Sequence, residues 1–169
     1  MLFGWQGVAQ AVGVPGTWTQ TQVNTATQAG VAYIDSQQNP DGSFGTLNQI
    51  ASTGMALVAY SVVQNGSFSN LSPSYQLHVK NAITWLLGQQ AGDGAFPDSG
   101  FYQTYGTGIA IAGLSAFTTV NAAVPGAIAN GRTFLVNEFQ GPAFTGCSSA
   151  DGSPTSYYCG GWNYETSKG

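Results

Sequence analysis

Asn81 to Phe96, NAITWLLGQQAGDGAF, says nearly the same thing as Gln28 to Phe44, QAGVAYIDSQQNPDGSF. Tyr33 and Trp85, Gln37 and Gln89, Gln38 and Gln90, Asp41 and Asp93, Gly42 and Gly94, and Phe44 and Phe96 are each 52 residues apart. A chain that repeats at this period is built from one supersecondary unit, which buries its apolar face only by stacking on a neighbour. A looser third copy starts at Arg132 with RTFLVNEFQ, where Phe134 lies 49 residues after Trp85. It closes at Gly161 and Trp162 in CGGWNY, after a long insertion.

Hydrophobic spacing predicts helices around these marks. Residues 1–16 carry Phe3, Trp5, Val8, Ala9 and Val12 at near-helical steps and stop at Val14-Pro15-Gly16. A helix from about Thr17 to Gln38 would turn Val23, Ala26, Gly30, Tyr33, Ile34 and Gln37 to one side, and Asn39-Pro40-Asp41-Gly42 would end it. A second, from about Leu47 to Val63, is apolar on more than one face and should lie deeper. Ser72 and Pro73 open a third that runs to Gln90 with Val79, Ala82, Ile83 and Leu86 inward. The fourth, about Tyr102 to Thr119, holds Gly106, Gly108 and Gly113, a costly composition unless another backbone packs closely against it. The fifth, about Val124 to Phe139, places Ile128, Phe134 and Leu135 inward, and residues 140–169 read as loop. The domain is therefore single and all-α, with repeats at about 17–63, 72–119 and 124–169.

The corner residues, Tyr33-Ile34, Gln37, Gly42-Ser43-Phe44, then Trp85-Leu86, Gln89, Gly94-Ala95-Phe96, resemble the repeat of the squalene cyclase and prenyltransferase superfamily. Arg132, Phe134-Leu135, Gln140 and Gly160-Gly161-Trp162 look like an interrupted third copy. The resemblance implies an α/α toroid of helix pairs in concentric rings, of which this chain would supply roughly half. At each corner a glutamine side chain can bond backbone groups at the helix end while the ring packs over it, which makes these residues structural.

The residues the family's enzymes use have no counterparts here. An Asp-x-Asp-Asp acid is missing, Asp93 and Asp98 are isolated, and Cys159 has neither the Asp nor the His of a zinc site nearby. Asp41, Asp93 and Asp151 precede glycines, but Asp41 and Asp93 lack the alternating acids of a calcium loop, so neither metal nor cofactor is expected. His78, the only histidine, reads as a surface or packing residue because the sequence supplies it no partner. Tyr102, Tyr105, Tyr157, Tyr158 and Tyr164 are core or interface residues, or the lining of a cavity.

Charge bounds the partners. Only 6% of the 169 residues are charged, against about 25% in an ordinary soluble domain. Lys80, Arg132 and Lys168 are the only cations, too few to neutralise a run of phosphates or to hold an anionic bilayer, and no stretch is apolar enough to span one. Cys147 and Cys159 share one polar loop and read as a disulfide worth about 3 kcal/mol, with two free thiols in a reducing compartment as the alternative. Asn65 and Asn70 begin glycosylation sequons. The first residues lack the basic start and cleavage site of a signal peptide, so a secreted form would be a mature or truncated chain.

Together these features point to a non-enzymatic, extracellular or surface scaffold that self-associates through open helix-pair edges, into a filament or surface assembly. Its partners would be copies of itself or the remainder of a longer chain. Two alternatives stand beside it: a module binding a glycan, a peptide or an apolar ligand, and a fragment of a terpenoid-cyclase-like or lyase enzyme.

Overall fold

The computed structural model describes residues 17–63, 67–98 and 103–138, and among these the chain is all-α. Five α-helices follow one another: α1 (Gln20–Asp35), α2 (Gln49–Val62), α3 (Pro73–Gln89), α4 (Gln103–Ser115) and α5 (Val124–Asn137). A 3-10 turn, Phe68–Asn70, precedes α3.

The helix boundaries follow local chemistry. Thr19 opens α1 with a reciprocal cap, its hydroxyl accepting from the Gln22 amide at 3.2 Å while its own amide donates to the Gln22 side chain at 2.9 Å. The helix stops at Asp35, three residues sooner than its hydrophobic spacing suggests, and Gln38 then pairs with Phe44 across the turn as an isolated antiparallel bridge. Ser72 caps α3 through the Tyr75 amide, with Pro73 at its first position.

The helices form two layers. α2 and α4 pack most extensively, side by side, while α3 packs against α2 and α5 against α4. The approach of α2 to α4 is a backbone contact: a methyl group on Gly54 would sit 2.7 Å from the Ile109 carbonyl oxygen, and one on Gly113 would run into the Gly54 carbonyl. Gly106 is likewise pressed on the Phe96 carbonyl, whereas Gly108 has open space in front of it. The close backbone expected over this glycine-rich helix is thus present at Gly106 and Gly113 only.

Between the layers lies the core, with Leu57, Tyr60, Val79, Ile83, Leu86, Phe96, Leu114 and Val124 almost wholly buried. Each such side chain contributes about 1.5–3 kcal/mol by leaving water. α1 departs from its expected orientation. Its one buried residue is Val31, while Val23, Ala26, Gly30 and Gln37 are exposed and Tyr33 keeps 69% of its surface.

Candidate functional site

The two corners, built from residues 38–44 and 90–96, make the same bonds. The Asn39 amide donates to the Ser43 carbonyl at 2.9 Å, and the Ala91 amide to the Ala95 carbonyl at 2.9 Å. Asp41 Oδ1 accepts from the Ser43 amide at 3.0 Å, as Asp93 Oδ1 accepts from the Ala95 amide at 3.0 Å. These are Asx turns, which commit both aspartates to shaping the loop. The Ser43 hydroxyl and amide hold the Asp41 carboxyl below the usual carboxylate range, with a smaller contribution from Trp85. Gly42 and Gly94 both adopt φ +95, a left-handed conformation that suits glycine.

Each corner is then fastened twice. The Phe44 amide donates to the buried Thr53 hydroxyl at 2.9 Å, and the Phe96 amide to that of Thr107 at 2.8 Å, which ties the ring-bearing end of each corner to the helix after it. The Gln38 amide donates to the carbonyls of Gly42 at 3.0 Å and His78 at 2.8 Å. Gln90 does the same to Gly94 at 3.0 Å and Ala127 at 2.8 Å. One glutamine therefore closes its own corner and docks it on a later helix, α3 for Gln38 and α5 for Gln90. Gly42 meets that helix at Asn81 and Gly94 meets it at Asn130, so close that a Cβ on either would strike backbone.

The second glutamine of each pair carries this role. Gln37 and Gln89 are exposed, and Gln37 reaches only the neighbouring Ser36 hydroxyl at 3.0 Å. Sequence reasoning assigns the corner to Gln37 and Gln89; the bonds are made by their neighbours Gln38 and Gln90, because which of two adjacent glutamines faces the next helix depends on where that helix passes. Of the other expected corner residues, Gly42, Phe44, Gly94, Phe96 and Phe134 are buried, Trp85 is half-buried and Tyr33 is exposed. Asn70 is exposed at the end of the 3-10 turn. Asn65, Gly161, Trp162 and the Cys147–Cys159 pairing lie outside the described residues.

Two carboxylates act across long stretches of chain. Asp98, isolated in the sequence, is buried, and its oxygens accept from the Ile50 amide at 3.4 Å and the Ala51 amide at 2.9 Å. It caps α2, whose own N-cap residue, Asn48, has left-handed backbone and no side-chain cap. Asp35 is the partner that the sequence did not supply to His78. Asp35 Oδ1 accepts from the Tyr60 hydroxyl at 2.5 Å and lies 2.5 Å from His78 Nδ1. Tyr60 also packs edge-on against Tyr75, with ring centroids 5.4 Å apart. Burial, then the hydrogen bond and charge of Asp35, push the Tyr60 phenol well above its usual range.

This Tyr-Asp-His cluster joins α2, α1 and α3. A His–Asp pair is two thirds of a nucleophilic triad, but the third hydroxyl here sits on the carboxylate and not on the imidazole, so it is not placed to be activated. The arrangement is a three-helix clamp. Among the described residues no three of His, Cys, Asp and Glu gather as a metal site, and no helix is long and apolar enough to cross a membrane. A cavity of about 330 Å³ lined by Gln28, Val63, Ser72 and Tyr75 opens between α1, the end of α2 and the start of α3. Compared with known protein families, characterised proteins and solved structures, the chain finds no match.

Proposed function

We propose that this chain is a non-enzymatic, secreted structural module, a partial α/α toroid of roughly half a ring, that assembles with copies of itself through its edge helices. The observation that carries the reading is the doubled docking bond: Gln38 on the His78 carbonyl and Gln90 on the Ala127 carbonyl. A unit that recognises the next helix by its backbone, whichever side chains that helix bears, can be stacked repeatedly. Unlike edges at the two ends of such a stack favour head-to-tail association, which closes a ring or runs on as a filament. The small number of charges leaves little to oppose it.

The disposition of the polar residues supports the same reading. Asp35, Asp41, Asp93 and Asp98 all bond groups that hold helices or turns in place. A second reading, a ligand-binding module, draws on the cavity at Gln28 and Tyr75. Electron microscopy of the purified chain separates the two. Rings or fibres with a regular repeat are expected for a scaffold, and monodisperse small particles that change only on adding a ligand would favour the binding module.

A further inference from the structure

The cavity between α1, the end of α2 and the start of α3 is walled by groups that the fold holds in place but does not use up. Val63, itself buried, lines its apolar side. The Tyr75 ring is set edge-on to Tyr60 with centroids 5.4 Å apart, and Tyr60 in turn is tied to Asp35. Ser72 is fixed as the cap of α3, its oxygen accepting from the Tyr75 amide at 3.3 Å. These walls are preformed, and the volume of about 330 Å³ lies within the roughly 300–1,000 Å³ of small-molecule sites.

Hydrogen-bonding capacity is left over in this lining. Among the described residues the Gln28 side-chain amide and the Tyr75 hydroxyl bond no other protein group, and the Ser72 hydroxyl, an acceptor at the cap, keeps its own proton to donate. None of the four lining residues, Gln28, Val63, Ser72 and Tyr75, is charged, and the carboxylate behind them, Asp35, is engaged by Tyr60 and His78. A charged ligand would give up its hydration with no counter-charge to meet it. A wholly apolar ligand would cover these polar groups without bonding them.

We infer that this cavity is a binding site for a neutral saccharide unit. A pyranose matches both halves of the lining: the C–H bonds on one of its faces pack on the Tyr75 ring and Val63, while its hydroxyls donate and accept along its edge. Gln28 is the residue that selects it. It brings the one side-chain amide of the lining among the described residues, with donors and acceptor fixed in one plane. The saccharide class belongs to the ligand-binding reading of the chain and is independent of self-association.

Titration of the isotope-labelled full chain with cellobiose, with N,N′-diacetylchitobiose and with benzyl alcohol, read by amide NMR shifts, tests it. Either disaccharide is expected to shift the Val63, Ser72 and Tyr75 amides saturably, with a Kd of about millimolar order. Gln28→Trp, which fills the cavity, should weaken that binding about tenfold or more, and Gln28→Leu, which removes only the amide, about threefold or more. Thr84→Trp, at an exposed position further along α3, should leave it unchanged. Circular dichroism verifies that each variant is as helical as the wild type. Benzyl alcohol bound at these amides without either disaccharide would overturn the saccharide class and leave a ligand site standing. No probe bound would overturn both. Saccharide shifts that persist equally in Gln28→Trp would put the binding elsewhere and overturn the site.

Discussion

Asp98 caps a helix that begins 49 residues before it, its Oδ2 accepting from the Ala51 amide at 2.9 Å. The bond satisfies an amide in the first turn of α2 with a charge drawn from the loop of the next unit, so two units are held in register by one buried carboxylate. Asp98→Ala leaves the Ile50 and Ala51 amides without their acceptor and is expected to cost about 1.5–3 kcal/mol. Urea denaturation checks it, and a change within experimental error would mean that water caps α2 as well as Asp98 does.

Gln89 and Gln90 are neighbours with different expected sensitivities. Gln90→Leu removes the donor to both Gly94 and Ala127, at an expected cost of about 1–3 kcal/mol. Gln89→Leu, at an exposed position, should stay within about 0.5 kcal/mol of the wild type. Comparing their thermal unfolding midpoints tests the assignment of the docking bond to the second glutamine, and the same contrast should hold between Gln37 and Gln38.

Two glycines of α4 should respond in opposite directions. Gly108→Ala meets open space in a helix interior and is expected to stabilise by about 0.5–1 kcal/mol. Gly113→Ala drives a methyl group into the backbone of Gly54 and is expected to destabilise by about 1–3 kcal/mol, since neither helix can yield without disturbing the other. Equal effects at the two sites would contradict the backbone contact between α2 and α4.

Tyr60 predicts the alkaline limb of stability. Its phenol titrates higher in the folded protein than in the unfolded chain, so its contribution is complete below the ordinary phenol value near pH 10 and falls progressively as pH rises above it toward the folded-state value. Tyr60→Phe should cost about 1 kcal/mol at neutral pH, by loss of the bond to Asp35, and should flatten the fall in stability above about pH 10. Denaturation curves at several pH values from 7 to 11 measure both effects.

Local signals made most of the helix framework legible. Ser72-Pro73 and the proline after Val124 set the starts of α3 and α5, and Asn39-Pro40-Asp41-Gly42 marked the first corner. The 52-residue spacing exposed the corner itself, down to Phe44 and Phe96. What stayed illegible was every contact made across a long stretch of chain: Asp98 on α2, Asp35 with Tyr60 and His78, and Gln38 or Gln90 on the next helix. Such pairings depend on how units stack, which periodicity within one helix does not encode. The face of α1 is the instructive case. Its spacing puts Val23, Ala26, Gly30, Tyr33, Ile34 and Gln37 on one face, yet only Ile34 of these is even half-buried, and Val31 is buried instead. Apolar periodicity reports that a face is made to be covered, without saying by what.

Sedimentation velocity of the wild-type chain across a wide dilution series bears most directly on the claim that this is a self-assembling module. The account predicts a mass that climbs with concentration in steps of the 17.5 kDa protomer. A single 17.5 kDa species at every concentration would contradict it.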